Sequence, residues 1–174
     1  MRIVGGSARG RTLHAVPGSS TRPTSDRVRQ SLFDLLGQRM DGLSVLDLFA
    51  GTGALSLEAL SRGAASATLI EQDRKACAVI ERNARELGFP VRLLRGEVFG
   101  TLPALRKERF DLIFSDPPYA RMASQGVLDT VAPLLHEGGR LVLESDRREP
   151  APAGLPLHDE RRYGDTLVRV FRRP

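Results

Sequence analysis

The chain has 174 residues, 41% of them hydrophobic and 27% charged, the size and balance of one soluble core that buries roughly two thirds of its unfolded surface. No apolar run approaches the roughly 18 residues needed to span a bilayer, Met1–Gly10 lacks the apolar core of a secretory leader, and a lone Cys77 excludes an internal disulfide or a thiolate-rich zinc cluster. The net charge of +5 is unevenly spread: residues 1–30 hold six Arg against one Asp, residues 147–174 hold seven Arg against four acids, and the middle is net acidic by three.

A cytoplasmic protein with no membrane segment and no metal is expected, with Cys77 as an inert packing residue. Only Lys75 and Lys107 are lysines, so 24 of the 26 basic residues are Arg, the side chain suited to bidentate phosphate contacts and to stacking on bases. A basic rim around an acidic middle is the footprint of a protein that holds a polyanion beside a site of different character. A merely soluble basic surface is the plainer alternative.

Residues 1–43 read as a unit of their own, an arm and a helix. Met1–Leu13, with Gly5, Gly6 and Gly10, suggests two short strands or an ordered arm, and Thr24–Gln38 carries Val28, Leu32, Phe33, Leu35 and Leu36 at helical spacing, capped by Ser25 or Thr24. Residues 44–174 then alternate strand and helix. Strands are expected at Ser44–Ala50, Ala67–Asp73, Val91–Glu97, Phe110–Ser115 and Gly139–Ser145, and helices at Ala54–Arg62, Lys75–Leu87, Phe99–Lys107 and Gly126–His136. Apolar strands separated by helices require crossover connections, hence a parallel sheet covered on both faces. After a Pro- and Gly-rich loop, Leu157–Tyr163 and Thr166–Arg172 flank a Gly164-Asp165 turn, an antiparallel hairpin closing one edge. The expected fold is α/β, a doubly wound, seven-stranded, mostly parallel sheet of Rossmann-like type with an antiparallel C-terminal hairpin, one structural unit overall.

Two constellations carry chemistry. Asp47–Leu60 (DLFAGTGALSLEAL) lies where the first strand turns into its helix. Gly51 and Gly53 permit a tight turn and close approach to a ligand. A dinucleotide site would want a third glycine where Ser56 stands. Asp47 would repel a pyrophosphate but suits an ammonium group, and Glu71 ends the second strand where it can chelate two ribose hydroxyls. Together these favour S-adenosylmethionine over NAD. The plainer readings are a loop cap for Asp47 and a solvated strand end for Glu71.

The second constellation, Ser115-Asp116-Pro117-Pro118-Tyr119, follows the fourth strand, beside the glycine turn in a doubly wound sheet. An amino group on a base is a poor nucleophile because its lone pair is delocalised into the ring. Asp116 could accept one of its N–H groups and the Pro117 carbonyl the other, aiming the lone pair at a methyl donor. Two prolines add no competing N–H, and Tyr119 offers a face for stacking an extruded base. His14, His136 and His158 lack ligand spacing, and no Gly-x-Ser-x-Gly elbow marks a hydrolase.

With these residues identified, the chain resembles the RsmD family, bacterial enzymes that methylate the N2 amine of one guanine in small-subunit (16S) ribosomal RNA. The likeness runs through IVGGSARGRTL (3–13), RPTSDRVRQSLFDLL (22–36), DLFAGTGALSLEALSRGA (47–64), IEQD (70–73), SDPPY (115–119), GGRLVLES (138–145) and RRYGDTLVRVFRR (161–173). The glycine turn and DPPY are shared by many amino-methyltransferases; the two N-terminal segments narrow the choice. The resemblance implies that Asp47, Phe49, Gly51, Gly53, Glu71, Gln72, Glu97, Val98 and Asp116 bind S-adenosylmethionine, and that Asp116, Pro117 and Tyr119 serve the target amine. It makes Arg9, Arg11, Arg22, Thr24 and Arg27 RNA contacts at the mouth of the site. Gly96-Glu97-Val98 departs from relatives, which more often have a shorter polar residue near the adenine. The implied partner is 16S rRNA, within the small subunit or an assembly intermediate. Two other readings are adenine-N6 methylation of DNA, which calls for a target-recognition insert that this chain has no room for, and a non-catalytic RNA-binding factor, which has no use for Asp47, Glu71 and DPPY.

Overall fold

A computed structural model of the chain describes residues 1–19, 24–118 and 124–174. Arg22 and Tyr119 lie outside the described residues. The arm folds back on itself through an antiparallel bridge between Arg2 and Thr12, with Ile3 N–H donating to Arg11 O and Leu13 N–H to Met1 O, both at 2.9 Å. Helix α1 (Asp26–Leu36) follows; Ser25 caps it, its hydroxyl accepting the Val28 N–H, and Gly37 ends it in the left-handed region.

The alternating part supplies strands β1 (Ser44–Leu48), β2 (Ser66–Glu71), β3 (Arg92–Arg95), β4 (Phe110–Ser115), β5 (Leu135–Asp146), β6 (Leu157–Tyr163) and β7 (Thr166–Arg172), with helices α2 (Ala54–Ser61), α3 (Arg74–Leu87), α4 (Val98–Thr101) and α5 (Ser124–Val131). They form one seven-stranded sheet in the order β3-β2-β1-β4-β5-β7-β6. Strands β1 to β5 run parallel, and β7 and β6 are antiparallel. The doubly wound sheet with a C-terminal hairpin is thus the observed fold, and the hairpin has the strand limits expected from its alternation.

Two apolar layers follow from the period-two alternation of each strand. Val45, Leu69, Phe114 and Val142 pack on one face against Ile3, Leu13, Phe33, Leu57 and Ile80. Leu46, Leu48, Ile113 and Leu143 pack on the other against Val98, Leu102, Val127 and Val131. The arm therefore shares its buried cluster with the strands. Phe33 of α1 meets Phe114 of β4 with ring centroids 6.0 Å apart, and Ser31 shares a 2.6 Å hydrogen bond with Tyr163 of β6.

Two expected helices are shorter than their apolar pattern suggested, for one reason. The helix expected at Phe99–Lys107 is a single turn, α4, followed by a 3-10 turn from Leu102 to Leu105 with Pro103 near its start. The one expected at Gly126–His136 yields to a 3-10 turn, Ala132–Leu134, at Pro133. Proline has no N–H for the α-ladder and its ring clashes with the preceding turn. Strand β1 stops at Leu48 rather than Ala50 because Phe49 has φ 58°, outside the extended region. Strand β3 ends at Arg95 because Glu97 already caps α4.

The arm is fastened to α2 by a buried ion pair. Glu58 accepts the N–H groups of Val4 (2.9 Å) and Gly5 (2.8 Å) and the Nε–H of Arg62 (2.8 Å), while the Arg62 guanidinium lies 4.8 Å from the centre of the Phe33 ring. Removing one member strands the other charge in the core. Glu58→Ala is therefore expected to destabilise the protein by about 3–5 kcal/mol, read as a lower urea midpoint; a loss below about 1 kcal/mol would mean the pair does not hold the arm.

Candidate active site at the carboxyl ends of the strands

In a doubly wound sheet the crevice forms where neighbouring strands send their connections in opposite directions. Here that point lies between β1 and β4, since β1 leads to β2 on one side while β4 leads to β5 on the other. Leu48 of β1 pairs with Ser115 of β4, so the segments Phe49–Gly53 and Asp116–Pro118 leave the sheet side by side.

On the β1 side, Asp47 is 3% exposed and accepts a 2.8 Å hydrogen bond from the Ser56 hydroxyl on α2. The chain then passes through Phe49, a non-glycine residue at φ 58°, and through Gly51 (φ 58°) and Gly53 (φ 78°). A Cβ on Gly53 would approach Leu69 Cδ2 to 3.3 Å, whereas one on Gly51 would meet nothing within 4 Å. The first glycine is held by packing and conformation, the second borders open space. Glu71 pins this turn: its Oε2 accepts the Gly51 N–H and its Oε1 the Asp73 N–H, both at 2.8 Å.

Buried Asn83 of α3 ties the turn to the arm. Its Nδ2 donates to Thr52 O (3.1 Å) and to His14 O (3.2 Å), and its Oδ1 accepts the His14 N–H (2.8 Å). Gln72 is exposed beside Glu71 and Val98 is buried. Glu97 is spent locally, its carboxylate accepting the N–H groups of Phe99 (3.0 Å) and Gly100 (2.8 Å) as the cap of α4.

On the β4 side, Asp116 and Pro117 are half-buried and Pro118 is exposed. Ser115 pairs with Leu143 of β5, and Glu144, the next residue of β5, is 8% exposed. Sequence reading passed over Glu144; the signal was an acid directly after the apolar run Leu141–Leu143 in a strand covered on both faces. Ser56 and Asn83 were missed because small polar residues within helices carry no pattern of their own.

The site gathers carboxyl groups with no arginine or lysine paired to them among the described residues. Burial, with the charges of Asp116 and Glu71, pushes the Asp47 carboxyl up to about 7 against the pull of the Ser56 hydrogen bond. Burial pushes Asp116 up to about 6. Burial, then the charges of Asp116 and Asp47, push Glu144 up to about 8. Among the described residues no group of His, Cys, Asp and Glu is arranged to hold a metal ion. An open cleft lined by Arg109, Asp111, His136, Glu137 and Arg173 lies at the amino ends of the strands, away from these carboxylates.

Of the residues expected to contact RNA, Arg9, Arg11 and Arg27 are exposed. Arg11 Nη2 donates to Glu86 O at 2.7 Å. Half-buried Thr24 offers its carbonyl to Arg29 Nη1 (2.9 Å). Not every terminal arginine faces solvent: Arg29 and Arg169 are buried, Arg29 bonded to Asp26 and Arg169 to Glu160.

The folded chain holds protons on Asp47, Asp116 and Glu144 that the unfolded chain releases above the ordinary carboxylate range, so their contribution to stability is fullest near pH 4 and falls as pH rises through 6 to 8. Asp47→Asn removes one of these charges and keeps the shape. It is expected to raise the melting temperature of the protein without ligand by roughly 5–10 °C at pH 8 and to leave it little changed at pH 4.5. An equal effect at both pH values would show that charge is not the cause.

Known proteins share this architecture and much of the sequence. Residues 1–172 match the family described as Conserved hypothetical protein 95. The ribosomal RNA small subunit methyltransferase D of Escherichia coli K12 is 37% identical over 183 aligned positions, covering 99% of this chain and 90% of that protein. The solved structure of the Escherichia coli yhhF protein superposes with a TM-score of 0.87 at 35% identity, covering 99% of this chain and 97% of that one. An RNA methyltransferase from Salinibacter ruber, solved with S-adenosyl-L-homocysteine, shares the fold at a TM-score of 0.66 and 18% identity, covering 88% and 94%. A match of this length, on a sheet whose acid row and glycine turn stand at its switch point, makes the chain a member of that family, the RsmD family.

Proposed function

We propose that this protein transfers a methyl group from S-adenosylmethionine to the N2 amine of a guanine in the 16S RNA of the small ribosomal subunit, acting in the cytoplasm on the subunit or an assembly intermediate. The observation that carries this reading is the adjacency of the Gly51–Gly53 turn and the Asp116-Pro117 corner at the paired ends of β1 and β4. The names of the relatives, ribosomal RNA small subunit methyltransferase D among them, support the same class of substrate. Folded RNA and protein in a subunit supply shape for recognition.

The residues fit this methyl donor. Bound there, S-adenosylmethionine supplies an electrophilic methyl on a positively charged sulfur. Asp47 and Glu71 offer an acidic lining that suits a cationic ligand and would repel the pyrophosphate of a dinucleotide. Asp47 takes the ammonium group, Glu71 the ribose hydroxyls, and the open side of Gly51 allows close approach. Phe49, Gln72, Glu97 and Val98 border the remaining cofactor surface, Glu97 chiefly as the cap that sets the position of Val98.

The target amine needs acceptors. Asp116, pushed up only to about 6, is largely ionised at neutral pH and accepts one N–H, while the Pro117 carbonyl accepts the other, so the nitrogen lone pair turns out of the ring plane toward the methyl. Asp116 would take up the proton that the amine gives up as the methyl leaves its sulfur, the S–C electron pair returning to sulfur as a neutral thioether. Tyr119 stacks on the extruded base. Arg9, Arg11, Arg22, Thr24 and Arg27 grip the flanking RNA, and Asn83 joins the arm that carries Arg9 and Arg11 to the turn at Thr52.

Nucleoside mass spectrometry of small-subunit RNA from cells with and without the protein should show one N2-methylguanosine that depends on it; unchanged spectra would sink the assignment. Asp116→Ala should slow turnover by roughly 10²–10⁴ with cofactor affinity retained, and an unaffected rate would remove Asp116 from the chemistry.

Replacing Arg9 and Arg11 by Ala should weaken RNA binding most at low salt and reduce the slope of affinity against salt by about two phosphate contacts. Identical binding across the salt series would deny the arm its role.

A further inference from the structure

Glu144 is the one carboxylate of the acidic row with no part in the chemistry above. It is 8% exposed, its Oε1 is buried, and that oxygen has no hydrogen-bond partner among the described residues. An unsatisfied buried acceptor costs on the order of 1–3 kcal/mol, so a strand that keeps one at the rim of a site implies a donor that arrives with the ligand. The position of Glu144 limits which donor.

Strand order puts Glu71 on β2, Asp47 on β1, Asp116 after β4 and Glu144 on β5, successive strands about 4.8 Å apart. The cofactor side of this row is β2 and β1; Glu144 stands at the other end, beyond Asp116. Ser115 pairs with Leu143, so Asp116 and Glu144 follow on neighbouring strands. The alternation puts both on the face of Phe114 and Val142, the side on which Asp47 also lies with Val45. The charges of Asp116 and Asp47 are both felt at Glu144, which agrees with that placement.

We propose that Glu144 is a specificity residue that accepts the ring N1–H of the target guanine while Asp116 and the Pro117 carbonyl hold its N2 amine, an inference that rests on the guanine-N2 reading above. Three bases carry an exocyclic amine. In adenine and cytosine the ring nitrogen beside that amine is an acceptor; guanine has a donor there, N1–H. An edge of three N–H donors meets three acceptors, whereas adenine or cytosine would set a nitrogen lone pair against the Glu144 carboxylate. The selection belongs to the ionised form of Glu144, which the arriving N1–H favours over the protonated form that burial favours and that would instead donate to a bare ring nitrogen. Selection of guanine among amino bases thereby acquires a residue, which the Asp-Pro-Pro corner cannot supply because it reads only the amine.

The experiment begins on the guanosine that this protein is found to methylate; if it methylates none in small-subunit RNA, the underlying reading fails first and this role falls with it. Small subunits are reconstituted with RNA that carries guanosine or 2-aminopurine riboside at that position, the latter keeping the 2-amino group and lacking the ring N–H. The unmodified protein is expected to favour guanosine by roughly 10–100-fold in kcat/KM. Glu144→Leu should abolish that preference by slowing guanosine alone. Glu144→Gln, a neutral group of the same shape, should narrow it, because an amide can also donate to a bare N1; it decides the matter if the leucine variant does not fold. Calorimetric S-adenosylmethionine affinity should stay the same in both variants. Equal rates on the two nucleotides for the unmodified protein, or a preference that survives both substitutions, would overturn the role.

Discussion

The structure depends on one uncomfortable arrangement: carboxylates gathered at the carboxyl ends of four adjacent strands, two of them buried, with no arginine or lysine paired to them in the described residues. Burial pushes Asp47, Asp116 and Glu144 toward their neutral forms, and neighbouring carboxylates add to this at Asp47 and Glu144. Elsewhere the chain pairs its buried charges with care, Glu58 with Arg62 and Arg29 with Asp26. The contrast separates structural charge from charge kept for a ligand. A fold can carry such a row because an extensive two-layer core supplies the stability that the site gives up, the usual relation between active sites and their scaffolds.

The scaffold also sets the relation between the two substrates. The glycine turn is held from below by Glu71 through the Gly51 N–H and from the side by Asn83 through Thr52 O. Asn83 spends its remaining bonds on His14, at the end of the arm that carries Arg9 and Arg11. The arm is seated at its other end by Glu58 and Ser61 of α2, the helix that begins where the turn ends. The basic arm and the glycine turn are thus fastened to the same two helices.

The C-terminal hairpin has a quieter role in the same geometry. Pairing of β7 with β5 from Arg140 to Asp146 buries Glu144 against Val168, and Arg169, buried beneath, bonds Ser145 Oγ and Glu149 O. Without that antiparallel cover β5 would be an edge strand and Glu144 a solvated side chain with an ordinary acidity. Part of the basic excess counted at the C-terminus is therefore internal support, and the electropositive rim rests more on the arm than composition alone implied.

Strand and helix order, the two-sided covering, the closing hairpin and the positions of Asp47, Gly51–Gly53 and Asp116 were all legible in the sequence, because periodicity and turn chemistry are local properties that tertiary contacts merely exploit. Helix ends at Pro103 and Pro133 were blurred, since apolar spacing continued past residues that the backbone could not accommodate. What only the tertiary structure decided were matters of pairing across long separations: that Asn83 reaches both Thr52 and His14, that Glu58 receives the arm, and that Glu144 comes to stand one strand beyond Asp116 with an oxygen left unmatched among the described residues. An acid in a strand has the same letter whether it meets solvent, an arginine or a substrate; its neighbours, brought from many residues away, determine which.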